Sequence, residues 1–214
     1  LSFRYPNKDD YLIKDVSFKI DRGSKIAITG ETGSGKSTLT HLILGLFSPE
    51  NGDILFENKS IFKNIMHWRK KLGYVPQKTY LLDSTIEKNI AFNFFNEDVD
   101  KSKMEKAIHI ANLSQKIDDL PQGLKTKVGS DGIRFSGGEK QRIALARAIY
   151  QDPEIIIMDE FTSSLDLDTE NKILSLLSDF LKNKTSIIVS HRLNTIKNCD
   201  TVFHLNDKKL TKKK

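Results

Sequence analysis

The sequence predicts an α/β fold, and three observations predict it. Two apolar runs rich in β-branched residues, "EIIIMDE" and "TSIIVSH", flank "ENKILSLLSDFLKN", whose apolar positions repeat at helical spacing. That is a strand-helix-strand unit, and runs without alternation suit parallel strands covered on both faces. A third run, "SKIAITG", ends in glycine and leads into a helix on which Leu39, Leu42, Ile43 and Leu46 recur at i, i+3, i+4 and i+7, the spacing of one buried face.

The remaining elements follow in chain order. The chain opens on "LSFRYP", without an initiator methionine and in what reads as a strand, so it is expected to be a piece of a longer protein. "YLIKDVSFKI" alternates loosely at period two and reads as a strand. "LGYVPQ" reads as another, stopped by Pro76. From Gln77 to Tyr150 the pattern is mostly helical, "KMEKAIHIANL" and "GGEKQRIALARAIY" being the clearest pieces. The expected organisation is an α/β core over 1–76 and 151–207, a helical insertion over 77–150 and a basic, solvated tail over 208–214.

A chain of 214 residues can bury one substantial core, with room for a subdomain against it. Its 34 Lys and Arg against 28 Asp and Glu give a net charge of +6, spread along the chain except for the lysine-rich end. One cysteine, Cys199, excludes an internal disulfide, suits a reducing compartment and is expected to be an inert, partly buried thiol. No apolar run approaches the roughly 20 residues that span a bilayer.

"GETGSGKST", from Gly30 through Glu31, Thr32, Gly33, Ser34, Gly35, Lys36 and Ser37 to Thr38, satisfies G-x-x-x-x-G-K-[ST] between a predicted strand and a predicted helix. Glycines let backbone N–H groups converge on phosphate oxygens, and the following helix adds the positive end of its dipole. Lys36 would reach the β and γ phosphates of ATP, Ser37 would bind Mg²⁺, and Thr38 would touch the α phosphate. A plain flexible turn is the competing reading. The metal needs an acid, and "IIIMDE" ends an apolar strand in Asp159 followed by Glu160. Asp159 would hold Mg²⁺ and Glu160 would serve as base or water-positioner; two acids topping a strand without such a loop would simply be solvated.

"FSGGE", Phe135 to Glu139, precedes that acidic strand closely. Here the sequence resembles the ATP-binding cassette family, whose signature this stretch matches, and the resemblance covers essentially the whole chain. It implies a P-loop, RecA-like core with an N-terminal antiparallel β part and an inserted α-helical subdomain. Tyr5 matches the aromatic that stacks on adenine, and Gln77 in "VPQ" matches the Q-loop, a metal and coupling contact. Ser163, Ser164, Leu165 and Asp166 match the D-loop, and His191 in "SHRL" the switch histidine. Each has a plainer reading: Tyr5 a packed strand residue, Gln77 a turn amide, His191 a structural histidine. His41, His67, His109 and His204 have no metal-ligand spacing.

Ser136 and Glu139 also form S-x-x-E, a capping box at a helix start. Both readings can hold, because a capped helix start with two glycines is an anion site as well. In this family Ser136, Gly137, Gly138 and Glu139 would face the γ phosphate bound by another copy or a paralogue, so that two domains pack head to tail around two Mg-ATP. The catalytic set implied is Glu160, His191, Lys36 and Gln77, and the metal set Ser37, Gln77 and Asp159. "LPQGLKTKVGSDGIRFSGGE" and "YLLDSTIEKNIAF" are similar to the exporter type, the second forming a groove for a helix of the membrane domain. The resemblance implies membrane helices fused upstream, a place on the cytoplasmic face of a membrane (the inner one in a bacterium), and no nucleic-acid partner; within exporters it runs closest to flippases of lipid-linked oligosaccharides.

The sequence departs from the family where Phe135 replaces leucine, Glu139 replaces glutamine, Ser164 replaces alanine, and Ser130 replaces glutamate with Asp131 beside it. A nucleic-acid clamp sharing the signature would carry long coiled coils between P-loop and signature; only about a hundred residues intervene, without sustained heptads. A small-molecule kinase would leave the signature and His191 without purpose. A binding-only subunit would be expected to lack Glu160.

Overall fold

The computed structural model describes residues 1–92 and 98–213. In chain order its elements are β1 (Lys25–Thr29), α1 (Lys36–Ile43), β2 (Leu55–Phe56), β3 (Lys59–Ser60), α2 (Ile65–Lys70), β4 (Leu72–Val75), α3 (Ile86–Ala91), α4 (Lys101–Ile110), α5 (Ser114–Asp118) and α6 (Gly137–Tyr150), followed by β5 (Ile155–Asp159), α7 (Leu167–Phe180), β6 (Thr185–Val189), α8 (Leu193–Lys197), β7 (Thr201–Asn206) and β8 (Lys209–Lys212). The chain forms two compact units, one from residues 1–72 together with the chain from Thr185, the other from residues 73–184.

In the first unit the strands run in the order β6-β1-β7-β8. Parallel pairing sets Ile26 opposite Ile187 on one side and Thr201 on the other, and Ile26, Ala27 and Ile28 lie in the core. The antiparallel part expected at the N-terminus consists of the β2-β3 hairpin and single bridges from Ser2 to Asn51 and from Phe3 to Ile13. "YLIKDVSFKI" is therefore no regular strand: Asp15 takes φ +51 and its N–H goes to the Ser2 hydroxyl, which interrupts a ladder after one bridge. Its alternation records which side chains are covered, Ile13 and Val16 being buried.

Helix α1 stops at Ile43, short of the predicted Leu46, which is 53% exposed. The stop is a Schellman motif: Leu46 N–H donates to His41 C=O and Gly45 N–H to Leu42 C=O, with Gly45 at φ +66. The lysine-rich end, expected as a solvated tail, keeps the side chains of Lys209, Thr211 and Lys212 in solvent but pairs its backbone with β7, Leu205 opposite Leu210.

The second unit sets β4 beside β5, with all five residues of β5 buried. Helix α6 packs against α3 and α4, and α7 against α4. Ile143, Leu145, Ile173 and Leu177 supply the apolar faces of α6 and α7. Helix α7 begins at Leu167, earlier than the quoted apolar pattern, because the Asp166 side chain accepts from Thr169 N–H and starts the helix there.

Candidate nucleotide-binding site

In the first unit the segment 30–38 joins β1 to α1 as a tight turn closed by Ser34 N–H on Glu31 C=O. Gly30 takes φ +150, and a Cβ there would stand 2.3 Å from Leu205 O and 2.8 Å from Ser34 Oγ, so no other residue fits. Gly35 is the N-cap of α1 and makes no side-chain cap hydrogen bond. The N-cap therefore sets no side-chain acceptor at the start of α1, where the positive end of the helix dipole favours an anion. Lys36, 7% exposed, donates from Nζ to Gly30 O at 2.8 Å and Glu31 O at 2.7 Å, inside the loop. Ser34 Oγ is buried without a hydrogen-bond partner, a group that a phosphate oxygen would satisfy. Loop, lysine and orphan hydroxyl together fit a polyphosphate. Ser37 is exposed at the start of α1 and Thr38 is buried. Glu31, Thr32 and Gly33 form the exposed side of the turn.

Tyr5 sits in the same unit, 38% exposed. Its ring meets Phe3 and Phe47 edge to face, with centroids 5.2 and 5.7 Å apart, and its hydroxyl lies 2.9 Å from Thr38 Oγ1. One ring is thereby both packed and presented beside the loop. His191 is exposed just after β6, where Ser190 Oγ accepts from Arg192 N–H.

In the second unit Asp159 ends β5 and is 2% exposed. Tyr74 on β4 titrates high, pushed up to about 12 mainly by burial and further by the Asp159 charge. Glu160 follows at φ +46, a left-handed conformation uncommon for glutamate and typical of strained functional positions. Its carboxylate accepts a hydrogen bond from the Gln77 amide. Two residues far apart in sequence, singled out separately as the coupling amide and the water-positioner, are thus brought into contact.

The signature is built in that unit on the start of α6. Ser136 Oγ accepts from Glu139 N–H at 3.2 Å and Glu139 Oε2 accepts from Ser136 N–H at 2.8 Å, a complete capping box. The N–H groups of Gly137 and Gly138, the first two helical positions, have no intrahelical acceptor. They border a cleft of about 230 Å³ lined by Ser136 to Glu139, Arg142, Ser164 to Asp166 and Thr169. A Cβ on Gly138 would lie 3.0 Å from Ser164 O and 3.1 Å from Leu165 Cδ2, so the second glycine is what lets the D-loop approach.

Two site residues escaped the sequence reading. Gln141, 4% exposed, donates to Ser163 Oγ and accepts from Ser164 N–H, tying the D-loop to the signature helix. An amide on the buried, otherwise apolar face of α6 was the available signal. Arg142 reaches Asn112 O at 2.7 Å; burial lowers its pKa against the opposing pull of Glu139 and Asp166.

Further along, Asn89 is fully buried and holds Leu82 through both N–H and C=O, as well as Thr85 O and Arg147. Arg147 also donates to Tyr80 O and lies 4.8 Å from the Phe92 ring centre. This network supports Tyr80, Leu82 and Phe92, which remain exposed. Among the described residues no helix is long and apolar enough to cross a membrane.

Residues 13–163 match the family described as ABC transporter. The chain is 39% identical over 215 residues to ABC transporter B family member 21 of Arabidopsis thaliana, covering 100% of this chain and 16% of that protein. It is 37% identical over 208 residues to the ATP-dependent lipid A-core flippase of Idiomarina loihiensis, covering 97% of this chain and 36% of the flippase. Among solved structures, a bacterial Atm1-family ABC exporter with ATP bound superposes at TM-score 0.92 and 36% identity, over 98% of this chain and 37% of the exporter chain. The chain spans well under half the length of each of these proteins.

Proposed function

Because the chain belongs to the ABC transporter family and carries its P-loop ATPase fold, we propose that it is the ATP-hydrolysing domain of a membrane exporter, acting as a head-to-tail pair around two Mg-ATP. The observation that carries the pairing is the open cleft at Ser136–Gly138: a second anion site in a chain whose segment 30–38 already suits a whole triphosphate. The proteins with which it aligns include a lipid A-core flippase and an Atm1-family exporter, which favours transport over a clamp on nucleic acid.

In this reading Lys36 leaves its loop carbonyls for the β and γ phosphates, and the amides at the start of α1 hold the same oxygens. Thr38 meets the α phosphate and Tyr5 offers its exposed ring face to adenine. Ser37, Gln77 and Asp159 would hold Mg²⁺, which supplies charge neutralisation to the triphosphate. Glu160 orients the attacking water and accepts its proton, its carboxylate aimed by the Gln77 amide. His191, with Ser136, Gly137 and Gly138 of the second copy, stabilises charge on the γ-phosphoryl group as water attacks in line. Glu139 accepts from a ribose hydroxyl, and Ser163 to Asp166 form the D-loop at the pair's interface. The exposed Tyr80, Leu82 and Phe92 ledge would receive the membrane domain, with the chain on the cytoplasmic face.

The test is Glu160→Gln. Turnover should fall by about 10²- to 10⁴-fold, the range for loss of a general base, or roughly 3 to 5 kcal/mol of barrier, while nucleotide binding persists and Mg-ATP drives self-association visible by light scattering. Unchanged turnover in a coupled phosphate-release assay removes Glu160 from the role, and a protein that stays monomeric with saturating Mg-ATP removes the sandwich.

A further inference from the structure

The signature ends in an acid, Glu139, and the acid lines the cleft. A carboxylate there opposes a triphosphate approaching Gly137 and Gly138, because like charges brought together at a desolvating interface are strongly unfavourable. One Glu139 oxygen is used on the Ser136 N–H. The other, Oε1, lies 2.8 Å from Lys116 Nζ, which comes from α5 and does not itself line the cleft. The ammonium is placed 6.0 Å from the ring centre of Phe135, and Phe135 is buried. The Glu139 side chain is 16% exposed and that of Lys116 37%, so this pair is less screened than a surface one. Although desolvation favours the neutral acid, the Lys116 and Ser136 hydrogen bonds outweigh it and hold Glu139 below the usual carboxylate range. It is a charged group in need of an opposite charge.

We propose that Lys116 is a positioning residue of this chain's signature: held by Phe135, it neutralises and orients Glu139 so that an acidic signature can accept the triphosphate bound by a second copy. The proposal rests on the sandwich reading and adds to it a residue outside the signature. Arg142 and Asp166 also line the cleft, one cation and one anion. Removing Lys116 therefore tips the local balance to a net negative charge where anionic ligand must dock.

The experiment uses the full chain in the Glu160→Gln background, with light scattering reading the Mg-ATP concentration at half-maximal association. Lys116→Met should raise that concentration about tenfold or more, and Lys116→Arg should restore it to within about twofold, by the electrostatics of a close charge pair. Glu139→Gln, whatever its own effect on association, should remove the requirement, so that adding Lys116→Met to Glu139→Gln moves the half-maximal concentration by less than about twofold from that of Glu139→Gln alone. Lys116→Gln serves as a second charge-removing variant if the methionine variant does not fold. A reference protein that never associates condemns the sandwich itself. A reference that associates while Lys116→Met and Lys116→Gln match it overturns the proposal, and so does Lys116→Met weakening Glu139→Gln by the same factor as it weakens the reference, which would mean that Lys116 acts through the fold rather than through Glu139.

Discussion

The starts of α1 and α6 are both glycine-bearing helix N-termini, and they are finished in opposite ways. At α1 the N-cap is Gly35, which supplies no side-chain cap hydrogen bond, and no carboxylate lies in the first turn. At α6 the N-cap is Ser136, the box with Glu139 is closed, and the helix brings its own negative charge. An uncapped start leaves its full donor set and dipole to a ligand that surrounds it with contacts. A capped start is stable by itself and keeps only the two glycine amides to offer, which suits a surface that touches an anion held elsewhere and lets go of it. On the proposed function, the difference separates a site that stores nucleotide from one that senses it.

The comparison breaks most sharply at Gly30. A methyl group there meets Leu205 O at 2.3 Å, backbone that cannot swing aside, at a φ of +150 that alanine resists. Gly30→Ala should cost about 3 kcal/mol of stability or more, from overpacking together with backbone strain, and should weaken ATP binding about 100-fold. Denaturant unfolding and titration with a fluorescent ATP analogue check both; an alanine variant of wild-type stability and affinity would show that the turn is not the close-fitting cradle argued here.

Gly138→Ala should do less to the fold and more to the partnership. The added methyl stands at 3.0 and 3.1 Å from Ser164 O and Leu165 Cδ2, contacts that yield by a few tenths of an ångström, and alanine regains up to about 1 kcal/mol of helix propensity. Stability should therefore change by less than about 1 kcal/mol. The D-loop, pushed off the signature, should raise the Mg-ATP needed for association about tenfold, while ATP binding at segment 30–38 stays as it was. Equal loss of binding and association would erase the distinction between the two helix starts.

What could be read in the sequence follows the range of the interactions concerned. β5 and β6 were legible because strands buried on both faces must be continuously apolar, and the capping box was legible because its partners lie three residues apart. The glycine turn was legible as a pattern, but not the reason for Gly30, which is the distant carbonyl of Leu205. Helix α1 was overrun to Leu46 because the spacing continued past a glycine whose left-handed turn ended the helix. The period-two run at Tyr11–Ile20 records burial and a broken pairing, Phe3 with Ile13 and Leu1 with Val16 on either side of Asp15. Gln77 and Glu160 were each identifiable by motif, yet their contact spans 83 positions. Lys116 carried no signal at all: a lysine on a five-residue helix acquires meaning only when folding sets it against Glu139.

The smallest expected effect concerns acid. Burial pushes the Glu139 carboxyl up, and the hydrogen bonds from Lys116 and Ser136 pull it down further, leaving it below its ordinary range. A carboxylate with a depressed folded pKa contributes stability that is complete above the unfolded value, about 4.3 for glutamate, and is lost as pH falls through the folded value. The difference in unfolding free energy between the parent and Glu139→Gln should thus be steady from neutral pH to about pH 5 and shrink below that, as the carboxyl protonates and resembles the amide. At α1, where no side-chain carboxylate caps the helix, Ser37→Ala should show no such acid limb. A Glu139→Gln difference that keeps its size at pH 3 would mean that the box acts by shape alone, and that the charge at α6, the feature that most distinguishes it from α1, does not stabilise the helix start.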